Sequence, residues 1–207
     1  MGYPRPTING YHFGLASSML QKFIRRGMER EALFMAAELE RSGYGKYVWK
    51  RLRVICSEDV GLAWIEGPAV IRALNEYYLQ FIKENDNPNR PGHRLYLVHA
   101  VLLLVRAPKS RLVDHATLAI FRTTDRVEIP DFAYDKHTSR GKRLGRGIEH
   151  FFEEGAALGN EDPSIEDVYR QEAIDLLLAE ERGDAPPASA HEPGQASLGL
   201  GEDDELG

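Results

Sequence analysis

Apolar side chains recur at steps of three and four residues along most of the chain, which is the periodicity of helices with one buried face. Ser17 or Ser18 can cap a first helix that ends before Gly27, and a second helix follows from Met28 to Gly43. The apolar positions of these helices are Leu20, Phe23, Ile24, Met28, Ala32, Met35, Ala36 and Leu39. The pattern therefore predicts two helices in tandem.

The same periodicity predicts two further helices before the first proline-rich loop. One helix runs from Tyr44 to about Ser57 and has a packing side and a cationic side. The other begins at Pro68, a residue suited to the first turn of a helix, and reaches Lys83. Residues 85–92 contain two prolines and are expected to form a loop.

The segment from Arg94 to Arg106 is too apolar for a surface position and predicts the central helix of the core. Its predicted buried positions are Leu95, Val98, Leu102 and Val105. The run VLLLV is also compatible with a strand, but its neighbours are helical and no partner strand is evident. The helix is therefore the favoured interpretation.

Two more helices are predicted downstream. Pro108 ends the central helix, and Ser110 can start the next one. The predicted buried stripe of that helix is Leu112, Ala116, Ala119 and Ile120. A final amphipathic helix is expected from Ser164 to Glu181. The predicted fold class is all-α, a bundle of helical hairpins.

Proline and glycine content predicts the domain organisation. Residues 1–14 are expected to form an extended arm, and residues 15–182 one helical domain. Residues 183–207 are rich in Gly, Ala, Pro, Ser and acidic side chains, which cannot bury enough apolar surface to fold. A disordered acidic tail is therefore expected.

The net charge of −6 conceals an uneven distribution. Residues 1–149 contain 24 Lys and Arg and 16 Asp and Glu, a charge of +8, whereas residues 150–207 contain 2 and 16, a charge of −14. A basic body favours an anionic partner, with the tail as a competitor for the same surface. The alternative is ordinary solvated charge on helix faces.

Cysteine content and hydropathy indicate the cellular compartment in which the protein is expected to act. Cys56 is the single cysteine, so no internal disulfide and no cysteine-pair zinc site can form. The N-terminus has no apolar leader, and the most apolar run is too short to span a bilayer. These features favour a cytoplasmic protein without a membrane partner.

Two segments resemble elements of a known family. Lys50-Arg51-Leu52, followed by ICSEDVGLA over residues 55–63, is similar to the RRL…ASEDIGLA element of the replication-associated recombination protein A and Werner-helicase-interacting ATPase family. APKS, residues 107–110, resembles that family's APKSN element at the matching distance. The matching motif residues are Arg51, Glu58, Asp59, Gly61, Pro108, Lys109 and Ser110.

A third segment extends the resemblance to about residues 17–155. Ile129-Pro130 and KRLGRG, residues 142–147, are similar to the family's VP…HL…K…LGYG region. In that family these elements lie in a helical C-terminal part, which resembles a clamp-loader collar and mediates oligomerisation beside an AAA+ ATPase module. The resemblance implies a collar-like fold, a homo-oligomer, and a setting in DNA replication, recombination or repair.

The chain also departs from the family. It contains no G-x-x-x-x-G-K-[ST] phosphate loop, so a non-enzymatic protein without a cofactor is expected, with a separate AAA+ ATPase or replication protein as a partner. Trp64-Ile65-Glu66-Gly67 replaces the family's DP connector, and Arg111 stands where APKSN has Asn. Contacts that the family makes at these positions need not be shared.

Glu58 and Asp59 are predicted to lie near a helix C-terminus, where the helix dipole disfavours negative charge. They are therefore expected to cap the following connector or to pair with a basic residue such as Lys109. An interface contact is the functional alternative. A paired-carboxylate active site is disfavoured because no third group is placed to orient a substrate.

The densest run of cations predicts contacts with DNA phosphates. It comprises Lys136, Arg140, Lys142, Arg143 and Arg146. Glycines between them permit close approach of the backbone, and the cations neutralise phosphate charge. The alternatives are a solvated surface loop and, for the flanking Phe151-Phe152, a place in the core.

Asp135, His137 and His150 suggest a rival function, a metal-dependent hydrolase. The spacing of Asp135 and His137 is not that of ligands on one helix face, so a capping role in a turn is favoured for His137. The sequence thus predicts a helical oligomerisation and DNA-associated protein, with the metal-dependent hydrolase and a pure adaptor as alternatives.

Overall fold

The computed structural model describes residues 5–84 and 91–184, and within these ranges it contains helices, turns and loops but no strand. The predicted all-α fold class is confirmed for this part of the chain. Residues 1–4 of the predicted arm, residues 85–90 of the predicted loop and residues 185–207 of the predicted tail lie outside the described residues.

The chain divides into two compact units, an N-terminal unit of residues 1–125 and a C-terminal unit of residues 126–207. The sequence predicts one helical domain over residues 15–182. Whether the two units unfold as one is a question of cooperativity, so the single domain stays a prediction.

Six α-helices make up the described part of the N-terminal unit. They are α1 (Phe13–Arg25), α2 (Glu29–Leu39), α3 (Gly45–Ile55), α4 (Gly67–Glu84), α5 (His93–Arg106) and α6 (Leu112–Ile120). Wide turns extend α2 over Glu40–Tyr44 and α3 over Cys56–Val60, and a tight turn follows at Gly61–Ala63. The predicted order of helices is correct, and the strand interpretation of VLLLV is wrong.

The first helix begins earlier than predicted. His12 has an extended backbone and precedes α1, while Ser17 lies within the helix rather than at its cap. The Ser17 hydroxyl is buried and shares a hydrogen bond of 2.8 Å with the Tyr47 hydroxyl of α3. A second contact, from Arg51 to Gln21, has the same sequence offset, so α1 and α3 run parallel and side by side.

The α5 helix is the centre of the core, as predicted, because it contacts α1, α2, α3 and α4. Its buried residues are Leu97, Ala100, Val101, Leu104 and Val105. The predicted face is wrong at Leu95 and Val98, whose side chains are 73% and 42% exposed. Every position from Leu95 to Val105 except His99 is apolar, so the sequence pattern does not distinguish the faces of this helix.

The buried stripe predicted for α6 is also wrong. None of its residues is buried, and Leu112 and Ile120 are well exposed. The helix contacts the rest of the unit through its first turn, where Val113 and Asp114 are partly covered. The apolar periodicity is real, but every residue of the later turns, 115–120, is exposed.

Residues 7–11 of the predicted arm are fixed to the N-terminal unit by the buried carboxylate of Glu38. Its Oε1 accepts a hydrogen bond of 2.8 Å from the Asn9 backbone N–H, and its Oε2 accepts one of 2.7 Å from Asn9 Nδ2. Ser42 accepts a further bond from the Ile8 N–H. Burial pushes the pKa of Glu38 upward, but hydrogen bonds from Thr7 and Asn9 outweigh it and hold the pKa below its usual value.

The C-terminal unit contains shorter elements. They are a tight turn at Asp131–Ala133, α7 (Ser139–Arg143), α8 (Ile148–His150) with a wide turn over Phe151–Gly155, and α9 (Arg170–Arg182). The last helix begins after the predicted Ser164, because the Asp162 carboxylate accepts hydrogen bonds from the Ser164 N–H and hydroxyl and holds a local turn. Gly183 ends α9 with a left-handed φ of 77°.

Within residues 5–84 and 91–184, no helix is long and apolar enough to cross a membrane.

Replacing Glu38 with Gln should loosen the arm at neutral pH, because the new amide N–H₂ would face one of the two Asn9 donors. We expect a loss of about 1–2 kcal/mol and faster hydrogen exchange at the Ile8 and Asn9 amides. Glu31→Gln, at an exposed position of α2, is the matched control. Because the pKa of Glu38 is lowered, its contribution is complete above pH 4.5 and is lost as the pH falls through the folded-state value. Unchanged protection in Glu38→Gln would contradict this role.

Candidate functional site

The structure joins the two motif segments of the N-terminal unit. Glu58 and Asp59 lie in the wide turn that follows α3, and Gly61 begins the tight turn after it. Pro108, Lys109 and Ser110 connect α5 to α6. The Ser110 backbone N–H donates a hydrogen bond of 3.0 Å to the Asp59 carbonyl, so the segments meet through their backbones.

Asp59 is the centre of this junction. Its side chain has no exposed surface, and its carboxylate accepts hydrogen bonds from Arg25 Nε at 2.5 Å and from Gln21 Nε2 at 3.0 Å. The Gln21 side chain in turn accepts a hydrogen bond from the Arg51 guanidinium. Asp59, Gln21 and Arg51 therefore form one chain of hydrogen bonds between α1, α3 and the turn.

Arg25 binds both motif carboxylates. Besides Asp59 it contacts Glu58, with 3.0 Å between the guanidinium nitrogen and the carboxylate oxygen. The hydrogen bond to Asp59 raises the pKa of Arg25, and this effect exceeds the lowering caused by burial. A buried carboxylate requires such compensation, since an unpaired charge in the interior is costly.

Lys109 has a different role from the predicted one. Its Nζ donates hydrogen bonds of 2.9 Å to the Val105 carbonyl and 2.5 Å to the Ala107 carbonyl, so it caps the end of α5. Burial lowers its pKa, and the nearby negative charge of Asp59 opposes that lowering. The expectation that Glu58 and Asp59 pair with a basic residue is confirmed, but their partners are Arg25 and, at longer distances, Arg111 instead of Lys109.

Gly61 is required by both its conformation and its surroundings. Its φ is +51°, a region that residues with a side chain rarely adopt. A Cβ atom at this position would lie 3.3 Å from the Ser110 carbonyl oxygen and 3.3 Å from a Val113 methyl group. The glycine therefore permits the connector before α6 to lie directly against the turn after α3.

Arg111 replaces the family's Asn and extends the ion network. Its guanidinium lies 3.5 Å from Glu58 and 3.7 Å from Asp59, and it pairs with Asp114 in the first turn of α6. The distance to Asp59 is too long for a hydrogen bond. The substitution gives α6 an additional electrostatic attachment to the junction.

Gln21 and Arg25 are site residues that the sequence analysis missed, because they belong to no motif. The sequence indicates a role for them only through their spacing along α1. Ser17, Gln21 and Arg25 follow one another at steps of four residues beside the buried Leu20 and Ile24, which places a polar stripe along the edge of the core.

The cationic run of the C-terminal unit is partly engaged in its own contacts. Arg146 donates hydrogen bonds to the Asp131 carboxylate and to the Asp131 and Tyr134 carbonyls. The Arg140 guanidinium lies 4.3 Å from the centre of the Tyr134 ring, and Lys136 Nζ lies 5.5 Å from that of Phe151. Lys142 and Arg143 are exposed. Gly141 packs against the Asp135 backbone so closely that a Cβ atom would overlap it.

The three residues of the metal hypothesis do not form a ligand set. The Asp135 carboxylate accepts a hydrogen bond of 2.9 Å from the His137 backbone N–H, as in the predicted turn, and the exposed His137 ring packs against Phe151. Across the described ranges, no group of three His, Cys, Asp or Glu side chains is placed to hold a metal ion. The metal-dependent hydrolase using Asp135, His137 and His150 therefore has no support in this geometry.

Removing the Asp59 charge should destabilise the N-terminal unit strongly. Asp59→Asn preserves the shape but leaves the Arg25 guanidinium without its buried partner, so we expect a loss of about 2–4 kcal/mol in urea unfolding. Arg111→Asn removes partly exposed ion pairs and should cost less than about 1 kcal/mol. Equal losses in the two variants would contradict the central place of Asp59.

Comparisons with known proteins agree with the motif resemblance. No family model matches the chain. Replication-associated recombination protein A of Bacillus subtilis (strain 168) is 33% identical to it over 144 residues, which make up 67% of this chain and 32% of that protein. The chain thus spans about a third of that relative's length. The similarity supports a relationship to the replication-associated recombination protein A family, while the assignment to the family's collar-like C-terminal part stays a prediction.

Proposed function

We propose that this chain is a non-enzymatic helical module that self-associates and contacts DNA during replication, recombination or repair, beside a separate AAA+ ATPase. The similarity to the bacterial replication-associated recombination protein A supports the setting. The absence of a phosphate-loop motif from the sequence supports the non-enzymatic assignment.

The exposed apolar helix α6 is the observation that carries the proposal. Its sequence, LVDHATLAI, contains six aliphatic residues, and each residue from His115 to Ile120 is exposed. Ile120 is 67% exposed, and Phe121 directly after the helix is 86% exposed. Apolar surface that is concentrated in this way favours association.

The attachment of α6 makes this surface suitable for a specific contact. The Ser110 to Asp59 hydrogen bond, the close approach at Gly61 and the Arg111 ion pairs fix its first turn. A fixed helix loses less conformational entropy on association than a mobile one. We assign the surface to a second copy of this chain, and the collar-like oligomerisation region that the motif resemblance implies supports that choice.

Substitutions at the end of α6 test the self-association. We expect the full chain to form oligomers at tens of micromolar, and Ile120→Gln with Phe121→Gln to shift them toward monomers in light scattering. The matched control is Ile65→Gln with Leu95→Gln, which removes comparable exposed apolar surface elsewhere in the N-terminal unit. A strictly monomeric wild type would reject self-association and favour the adaptor that docks on a separate ATPase.

The DNA contact is tested by its dependence on salt. Binding through phosphate neutralisation should weaken steeply with salt, with a log-log slope of about 0.7–0.9 per contact, and should differ little between sequences. Fluorescence anisotropy with labelled single-stranded and duplex oligonucleotides measures both properties. No binding at about 50 mM salt would remove DNA from the proposed function.

A further inference from the structure

Helices α1 and α3 both carry exposed cations. They lie parallel and side by side, and neither contains an Asp or Glu. The two helices and the residue after α1 contribute seven cations, which are Lys22, Arg25, Arg26, Lys46, Lys50, Arg51 and Arg53.

Two of these cations are engaged inside the molecule. Arg25 binds Glu58 and Asp59, and Arg51 binds Gln21. The other five are exposed and form what we name the α1–α3 cationic face, which consists of Lys22, Arg26, Lys46, Lys50 and Arg53.

The positions of the five cations follow helical spacing. Lys22 and Arg26 are four residues apart, and Lys46, Lys50 and Arg53 are separated by four and three, so each set lies on one stripe of its helix. The Arg26 guanidinium also donates a bond of 3.4 Å to the Lys22 carbonyl. Like charges at these spacings weaken a helix, and an anion bound along the stripe relieves that repulsion.

The nearest carboxylates do not neutralise this face. Glu58 lies beside Lys50 and Arg53 in an open groove of about 450 Å³, but its carboxylate is bound to Arg25 and near Arg111. Asp114, in the same groove, is paired with Arg111. Glu76 lies beside Arg53 in a second groove and is paired with Arg72. The internal ion network therefore uses the nearby negative charge and leaves the face cationic.

We propose that the α1–α3 cationic face is the main docking surface of this chain for the phosphate backbone of a nucleic acid. The proposal rests on the proposed function and specifies the surface for its DNA contact. Lys46 and Arg53 lie about 10 Å apart along the helix axis, which covers roughly three phosphates of one strand. A regular row of cations matches a regular row of phosphates better than it matches a protein surface, which contributes an apolar centre.

This assignment differs from the one that the sequence suggests. In the predicted segment, Arg146 is engaged with Asp131, Arg140 with Tyr134 and Lys136 with Phe151. Arg140, Lys142 and Arg143 are its exposed cations, against five on the α1–α3 cationic face. The face therefore offers more phosphate contacts.

The test compares three variants of the full chain, each probed with labelled single-stranded and duplex oligonucleotides over a salt titration. The face variant is Lys22→Gln, Lys50→Gln and Arg53→Gln. The control of equal charge is Arg30→Gln, Lys83→Gln and Arg122→Gln, at exposed positions on other elements. The segment variant is Lys142→Gln with Arg143→Gln.

The face variant should bind duplex DNA at least about tenfold more weakly than wild type, with a salt slope smaller by about 2–3. The control should bind within about threefold of wild type, and the segment variant should lose less than the face variant. Thermal unfolding of the face variant should match wild type, because the replaced side chains are exposed.

Two results would overturn the inference in distinguishable ways. If wild type binds DNA and the face variant binds equally tightly, the face is not the docking surface, whereas the proposed DNA contact stands. If wild type binds no DNA but binds polyglutamate, and the face variant does not, the face serves an acidic protein. In that case the DNA contact in the proposed function fails as well.

Discussion

A carboxylate without exposed surface must be matched by donors, and Asp59 takes them from distant parts of the chain. Its side chain draws Gln21 and Arg25 from α1, and its backbone carbonyl draws Ser110 from the connector before α6. Because these donors belong to different elements, the hydrogen bonds of this one residue set the relative positions of α1, the end of α3 and the start of α6. The two motif segments are adjacent for this reason.

The same requirement shapes the surface of the N-terminal unit. Arg25 and Arg111 are used to compensate Glu58 and Asp59, so the acidic groups near α3 are occupied internally. The cations on the outer side of α1 and α3 consequently face solvent. Connected to the same network, α6 is fixed at its first turn while its apolar turns stay exposed. Both candidate interaction surfaces thus depend on one buried ion network.

The two units differ in how their cations are used. In the C-terminal unit, where Gly141 and Ile148 are the buried residues of the described part, arginines support local structure. Arg146 crosslinks the turn at Asp131–Ala133, and Arg140 stacks on Tyr134. With so small a core, side-chain contacts of this kind take over part of the stabilisation that apolar burial provides elsewhere. Charge density along the sequence therefore overstates the charge available to a partner.

The sequence by itself determined the helical class, the order of the helices and the motif segments, because these depend on local periodicity, on proline and glycine, and on residue identity. It did not determine which face of α5 is buried, since most positions of that helix are apolar. It also did not determine that α6 is exposed, since an apolar stripe looks the same in the sequence whether it packs on the core or on another molecule. It named Asp59 but not Gln21 or Arg25, whose roles depend on packing across more than thirty residues of chain. Only the tertiary structure decided which charges are compensated, because compensation is a matter of distance in space and not of position along the chain.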